Sequence, residues 1–419
     1  MGAGAGRMST NIATESYKMS IIGIGDQGMA SLTPEAQQVL ATATAFVGGK
    51  RHLAMLPEND SRPRYPWPSP FALPVDVQQH PGLCILASGD PSWYGVLKMV
   101  TRTVPAAAIK VVPAVSSLSL AAARMGWPIE QVRTVSIHGR PLSRIWPLLA
   151  PRVRFLALTN DGDTPHLVAK ALADHGWGDV RLTILGHLGN HTESQYTGLA
   201  QDIAAGIGNV TFPDLNVLAV ECPDITACPP DFAGQGAGLP DACFVHDGKM
   251  TKQHVRAATL AALRPFAGAV LWDIGAGSGS IGIEWLRLAP YGAAYAIEHQ
   301  EKRLDMVRTN AANLGVEHIH VIAGQAPAAC AGLPTPDAIF VGGGVTAPDM
   351  LSTCWQALPH NGVLVANVVT LEGQAAILRA HAAYGGQVTQ IAVSHSVSVG
   401  EFTGLKPAMP VWQWRAVKP

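Results

Sequence analysis

"LWDIGAGSGSIGIEW", residues 271–285, is an apolar run that reaches Asp273 and breaks into alternate glycines, Gly275, Gly277 and Gly279. It then continues directly into a helical pattern. Alternate glycines let a backbone approach a ligand closely. Asp273, at the strand end, can engage a ligand amine directly or through water. The next apolar run, "AAYAIEH" (293–299), ends in Glu298, where a carboxylate is placed to accept two ribose hydroxyls. A third run leads into "AGQAP" (323–327), where Gln325 and Ala326 would flank an adenine ring. A fourth ends in Gly342-Gly343-Gly344, leaving a gap at the carboxyl edge where open α/β sheets bind ligands. Four successive strand ends each carry a suitable group, which makes the constellation specific. Its candidate cofactor-binding residues are Asp273, Gly275, Ala276, Gly277, Ser278, Gly279, Glu298, Gln325 and Ala326.

A second glycine series opens the chain. "SIIGIGDQG" (20–28) has Gly23-x-Gly25-x-x-Gly28, the spacing of a dinucleotide-binding turn. Its context fails. Thr33-Pro34 is a helix-start signal, so the helix begins about six residues too late for its dipole to reach the loop. No Asp or Glu lies between Glu35 and Glu58 to hold a ribose. The series is expected to be a tight turn after a strand, lining a site for something other than NAD.

The bulk properties narrow the classes. The chain has 419 residues, 48% hydrophobic and 14% charged, enough for two or three domains with large cores. Lys plus Arg is 29 against 30 Asp plus Glu, a net charge of −1, which weighs against a nucleic-acid partner. No run of 18 apolar residues occurs, so no membrane span is expected. The first 18 residues lack an apolar core and the myristoylation pattern, and are expected to be a disordered leader. The six cysteines form no CxxC and are expected to be buried thiols of a cytoplasmic protein. His187-x-x-x-His191 lies in a Gly-broken loop with no third ligand, so no metal site is expected.

Apolar runs alternate with helical patterns, which argues for α/β architecture with largely parallel sheets. First-half strands are expected in "SIIGIG", "TAFVGG", "LCILASG", "IKVVPA", "RTVSIHG", "RFLALTN", "RLTILGHL" and "LNVLAVE", with helices near 34–43, 91–103, 116–125 and 164–174. "CPDITACPPDFAGQGAGLPD" (222–241) is rich in Pro and Gly and reads as a linker. The expected division is 19–222, a linker over 223–240, and 241–419. The second half continues with five strand candidates, helices following them, and two longer strands near 387–399 and 409–416.

The glycine loop and the acids after it resemble the Rossmann-like S-adenosylmethionine (SAM) methyltransferases. The GxGxG spacing and the acid before it are the SAM form. Together with "DACFVHDGKMTKQHVRAATLAAL", "AIEHQEKRLDMVRTNAANLGV" and "GQAPAAC", the second half resembles the CbiT-type corrin-pathway methyltransferases. The first half, through "IGIGDQG", "FVGGKRHL", "LASGDPSWYG", "PAVSSLSLAAARMGW", "VSIHGRP" and "LTNDGDTPHLVAKAL", resembles the CbiE type, of the tetrapyrrole methylase fold. Both in one chain resemble the fused precorrin-6Y C(5,15)-methyltransferase (decarboxylating) family, CobL type, over roughly residues 19–417. His254 departs from the Glu that related sequences often carry there.

The resemblance implies a two-lobed tetrapyrrole methylase fold followed by a Rossmann-like SAM methyltransferase fold, with two SAM sites per chain. In the first half it implies SAM contacts at Gly89, Asp90, Pro91, Ser116, Ser117 and Thr159, and in the second it adds Thr251. Gly25 and Asp26 are expected to line the substrate cleft. His138, Arg140, Lys252 and Arg256 are candidate cations for a substrate with many carboxylates. Trp93 and Tyr94 offer rings that could face a flat macrocycle, but are read first as packing at a helix start. The implied reaction methylates carbon 5 in the first half, and methylates carbon 15 and decarboxylates in the second; no catalytic residue is assigned. A tetrapyrrole substrate, a cytoplasmic location and a homo-oligomer, dimer or tetramer, are expected. Two alternatives stand beside this reading: a first half that only binds tetrapyrrole, and an RNA methyltransferase.

Overall fold

The computed structural model describes residues 17–74, 80–229 and 233–419. Residues 1–16 of the expected leader and 230–232 of the expected linker lie outside them. The chain forms two compact units. One takes the residues up to His138 together with Arg154–Glu221; the other takes Gly139–Val153 together with Cys222–Pro419.

The first unit has two five-stranded sheets. One contains β1 (Met19–Ile24), β2 (Ala45–Gly48), β3 (Arg64–Pro66), β4 (Leu83–Ser88) and β5 (Ile109–Val112), in the order β3-β2-β4-β1-β5. All its pairings are parallel. The other contains β6 (Arg133–Ser136), β7 (Arg154–Leu158), β8 (Arg181–Gly186), β9 (Ser194–Leu199) and β10 (Asn216–Glu221), in the order β6-β7-β10-β8-β9. Here only β6 and β7 run parallel, so the expectation of largely parallel sheets holds for the first sheet and not the second. The helices are α1 (Pro34–Thr42), α2 (Lys50–Ala54), α3 (Leu97–Val100), α4 (Ser117–Met125), α5 (Thr164–Asp174) and α6 (Ala200–Ala204).

Local chemistry sets several boundaries. Thr33 caps α1, its hydroxyl accepting from Ala36 N at 3.2 Å, with Pro34 in the first turn. Ser116 caps α4, accepting from Ser119 N at 3.0 Å, and Gly126 ends it in the left-handed region at φ 63°. The helix expected over 91–103 shrinks to α3. The chain before it folds into a turn in which Leu97 N donates to Pro91 O, and Tyr94 sits at φ 56°. Strands β3 and β9 and helices α2 and α6 were not anticipated, since β3, α2 and α6 are short and β9, "SQYTGL", is mostly polar.

The second unit contains β11 (Val270–Ile274), β12 (Ala293–Glu298), β13 (His320–Ala323), β14 (Ala338–Val341), β15 (Val363–Val368), β16 (Gln387–Ile391), β17 (Ser394–Val399), β18 (Phe402–Pro407) and β19 (Val411–Val417). Its seven-stranded sheet runs β13-β12-β11-β14-β15-β19-β16. The first five are parallel, and β19 is antiparallel to both neighbours. The strand order reverses direction between β11 and β14, which opens a crevice at the carboxyl edge. Helices α7 (Gln253–Leu263), α8 (Ser280–Leu288), α9 (Glu301–Asn313), α10 (Met350–Ala357) and α11 (Leu371–Tyr384) accompany it. The two longer terminal strands resolve into four, because β17 and β18 form a separate hairpin. After β13 the expected helix is only a single 3-10 turn, Ala328–Cys330. Buried Leu271, Trp285, Phe340 and Val365 pack one face of the sheet, and Ile274, Ile339, Leu364 and Trp414 the other.

Segment 139–153 belongs to the second unit through specific contacts. Ser143 Oγ donates to Glu317 Oε1 at 2.5 Å, and Gln235 Nε2 donates to Leu148 O at 3.3 Å. A Cβ on Gly315 would lie 2.3 Å from Ser143 O, so only glycine admits this approach. Of the six cysteines, Cys84, Cys222, Cys330 and Cys354 are buried, while Cys228 and Cys243 are only half-buried.

Candidate functional site

In the second unit the site forms where the turns after β11, β12 and β14 meet. Gly275, Gly277 and Gly279 all adopt positive φ, at 69°, 58° and 80°. A Cβ on Gly275 would lie 2.8 Å from Gly343 N, so the turns after β11 and β14 touch backbone to backbone. Gly275→Ala combines that clash with a left-handed conformation that alone costs about 1–2 kcal/mol. The variant is expected to melt lower and to lose ligand binding in this unit, which calorimetry with and without ligand will read.

Asp273 is 1% exposed. Its Oδ2 accepts from Gly282 N, in the first turn of α8, at 2.9 Å, while Oδ1 has no partner. Burial pushes its carboxyl up to about 7; the Gly282 N–H opposes this and the Glu298 charge adds to it. The Ser278 hydroxyl is likewise buried without a partner. Glu298 is buried at the end of β12. Its Oε2 accepts from Gly277 N at 3.1 Å, and its Oε1 accepts from His299 N at 2.9 Å and Gln300 N at 3.1 Å. The carboxylate therefore ties the glycine loop to the turn after β12. Gly324 N donates to Glu298 O at 3.0 Å, bringing exposed Gln325 and half-buried Ala326 to the same edge.

Asn310 was not anticipated. It is fully buried on α9, and its amide donates to Ser278 O and Val245 O, both at 2.9 Å. It holds the glycine loop against the segment before α7. Its only sequence signal is a polar residue on an inward helix position.

Half-buried Thr251 lies in that same segment, two residues after Lys249, whose carbonyl is 3.8 Å from where a Gly277 Cβ would be. Arg256 requires a correction as a substrate cation. It is fully buried on α7, paired with Glu284 and Asp241 and bonded to the carbonyls of Thr251 and Leu239. Its guanidinium also lies 4.7 Å over the Phe244 ring. It braces the segment 239–251 rather than facing a ligand. Lys252 is exposed, 3.8 Å from Asp241.

These groups suit a ligand with a cationic amine and a vicinal diol. Two buried polar atoms lack partners, a carboxylate closes the loop, and the loop glycines leave the room that side chains would fill.

In the first unit the turns after β1, β2 and β4 meet at one sheet edge. A Cβ on Gly23 would lie 1.9 Å from Gly89 O and 2.5 Å from Ala114 N. The first glycine of the opening series thus serves close packing of neighbouring turns. Gly89, at φ 55°, donates to Ile24 O at 2.9 Å and accepts from Ala114 N at 3.1 Å. Asp90 Oδ1 accepts from Ser92 N at 2.8 Å and Ser92 Oγ at 2.7 Å, and Pro91 is buried. Ser116 is occupied in capping α4, with Ser117 the first helical residue.

Thr159 is buried and turns its hydroxyl inward to Asn216, at 2.9 Å from O and 2.8 Å from Oδ1. Its carbonyl accepts from His138 Nδ1 at 3.0 Å, which brings these two candidates together. Arg140 lies in the segment that groups with the second unit. Gly25 N donates to Ser31 Oγ at 2.9 Å. Asp26 accepts from Arg51, His187 and Asn190 at 2.9, 3.2 and 3.0 Å.

Comparison with known proteins gives two family matches. Residues 18–204 match the model described as Tetrapyrrole (Corrin/Porphyrin) Methylases, and 242–418 match Precorrin methyltransferase domain. The precorrin-6Y C(5,15)-methyltransferase [decarboxylating] of a Sinorhizobium species is 42% identical over 96% of this chain and 96% of its own. The protein of the same name from Mycobacterium tuberculosis strain CDC 1551 is 37% identical over 95% of this chain and 99% of its own. The solved C-terminal domain of precorrin-6Y C5,15-methyltransferase from Rhodobacter capsulatus is 38% identical, covering 44% of this chain and 99% of that one, with a TM-score of 0.42.

Proposed function

Because the chain belongs to the precorrin-6Y C(5,15)-methyltransferase (decarboxylating) family, we propose that its two units divide that reaction between two SAM sites. The first unit methylates carbon 5 of a precorrin-6 macrocycle. The second methylates carbon 15 and removes the ring-C acetate carboxyl as carbon dioxide, giving precorrin-8. The observation that carries the reading is that each unit has its own glycine-bearing carboxyl edge, and that in the second the buried Asp273 Oδ1 and Ser278 Oγ lack partners.

Bound SAM supplies an activated methyl group. In the second unit Asp273 and Ser278 would hold its amino-acid end, Glu298 the ribose hydroxyls, and Gln325 and Ala326 the adenine, with Thr251 beside the loop. In the first, Gly89, Asp90 and Pro91, Ser116 and Ser117, and the Thr159 backbone would hold it. The residues' task is to align the bridge carbon with the methyl donor and to exclude water. No strong general base is needed, since the bridge carbon is enamine-like, and the macrocycle itself is the electron sink for decarboxylation. His138, Lys252 and Arg140 remain candidate contacts for substrate carboxylates. The assignment extends to a cytoplasmic homo-oligomer; no helix among the described residues is long and apolar enough to cross a membrane. The alternatives of a first half that only binds and of an RNA methyltransferase are not favoured, given full-length relatives of one name and a net charge of −1.

The test is mass spectrometry of the product from reduced precorrin-6 and SAM. Two methyl groups add about 14 daltons each and carbon dioxide removes about 44, so the product is expected about 16 daltons lighter, with two equivalents of S-adenosylhomocysteine. A single equivalent would leave only one methylating unit.

We also propose that residues 19–222 and 241–419 fold separately, joined by 223–240. Fragments 1–235 and 238–419 are each expected to bind SAM in calorimetry. Fragment 238–419 should melt below the full chain, by about 2–4 °C per kcal/mol lost with segment 139–153. Binding by only one fragment would refute the two-site reading.

A further inference from the structure

The carboxyl edge of the first unit's parallel sheet carries an arginine that lies inside the stretch "FVGGKRHL" but has been given no role so far. Arg51 stands in the first turn of α2, just past β2. Its Nη1 donates to Asp26 Oδ1 at 2.9 Å, two residues past β1, and its Nη2 donates to Ser88 Oγ at 3.3 Å, at the end of β4. Strands β2, β4 and β1 are neighbours in the sheet, so three strand ends converge on one guanidinium.

Both partners are themselves held. Ser88 Oγ lies 3.1 Å from Nε2 of buried His52. Burial, and secondarily the Arg51 charge, hold the His52 imidazole down to about 4, so it is neutral at working pH. The serine hydroxyl can then donate to His52 and accept from Arg51. Asp26 is 11% exposed, and its second oxygen is occupied by His187 Nδ1 and Asn190 Nδ2, at 3.2 and 3.0 Å.

The guanidinium side chain, by contrast, is 42% exposed. Two of an arginine's five donors are used, and the rest have no partner among the described residues. An exposed ion pair of this kind adds little stability. The network instead fixes the orientation of a planar fork that matches a carboxylate. Ser88 is followed directly by Gly89, Asp90 and Pro91, so the fork stands beside the loop assigned above to SAM.

We propose that Arg51 anchors a peripheral carboxylate of the macrocycle in the first unit, with Asp26, Ser88 and His52 as its positioning residues. This rests on the reading of the first unit as a tetrapyrrole methyltransferase.

The test uses the full chain. Carbon-5 methylation is followed by product mass against macrocycle concentration, and SAM affinity is measured separately. Arg51→Gln is expected to raise KM for the macrocycle roughly 10–100-fold, the loss of a charge-assisted contact, with SAM affinity unchanged. Arg51→Lys keeps the charge without the fork and should recover only part of that loss. Ser88→Ala should raise KM a few-fold with kcat unchanged, an effect a role in packing alone would not produce.

A parental KM in Arg51→Gln overturns the proposal, as does an equal loss of SAM affinity. Should Arg51→Gln fail to fold, a parental KM in Arg51→Lys overturns it. If the parent chain itself methylates no precorrin, the broader reading fails, and Arg51 is judged by binding of uroporphyrin, a polycarboxylated macrocycle, by fluorescence. Binding by the parent and tenfold weaker binding by Arg51→Lys would support the anchor; equal binding would refute it.

Discussion

Asp273→Asn is expected to melt at a higher temperature than the parent at pH 8, yet to bind SAM in the second unit one to two decades more weakly. The stability half follows from burial. The Asp273 carboxyl is raised from 3.8 to about 7 because the site desolvates its charge. Between those values the folded protein holds a proton that the unfolded chain has released. Stability is therefore fully present below about pH 4 and falls as pH rises, by up to about 1.4 kcal/mol per unit, until about pH 7. Asparagine removes that slope, so the variant's advantage should be largest at pH 8 and shrink towards pH 4.

The binding half follows from the same carboxylate. A ligand ammonium pairs with the ionised form, and losing a charge-assisted hydrogen bond costs about 1.5–3 kcal/mol. Below about pH 7 the parent must give up a proton to bind, so affinity in this unit should fall up to tenfold per pH unit. Calorimetry on fragment 238–419 from pH 5 to 8 measures both effects. An affinity independent of pH would remove Asp273 from the ligand's amine.

Replacing Asp90 and Pro91 together by Ala is expected to stop the reaction one methyl group short. The Asp90 carboxylate pins the turn through Ser92 N and Ser92 Oγ, and Pro91 fills the buried position beside it. Without both, the loop proposed to hold SAM in the first unit loses its shape, while the loop at 273–279 is untouched. The accumulating product should be about 30 daltons lighter than the substrate, one methyl gained and carbon dioxide lost, rather than about 16. One equivalent of S-adenosylhomocysteine should accompany it. A full product from this variant would mean that the first unit does not methylate, and would reinstate its reading as a binding module.

Much of this site was legible along the chain. An acid at a strand end, glycines at alternate positions and a second acid at the next strand end are contiguous features. So is the cap at Thr33, since a hydroxyl reaches an amide three residues on, whereas Ser116, read as a cofactor contact, proves to cap α4 in the same way. What stayed hidden depends on segments distant in sequence. Arg256 read as a ligand cation, but Glu284, Asp241 and two carbonyls surround it once α7 packs on α8. Arg51 read as part of a family motif, and only the strand order β2-β4-β1 sets Asp26 and Ser88 on either side of it. Gly23 read as a ligand-loop glycine, and it is the approach of the Gly89 carbonyl that excludes a side chain there. Segment 139–153 read as first-half chain, and its contacts with the second unit are invisible in its own pattern. Sequence by itself determined the α/β repeat, the two glycine-bearing edges and the acids beside them, because hydrophobic period and permitted φ belong to neighbouring residues. Tertiary structure alone decided which charges are buried, which are paired and which stay exposed, because burial and partnership belong to strands and helices that meet only when the sheets form.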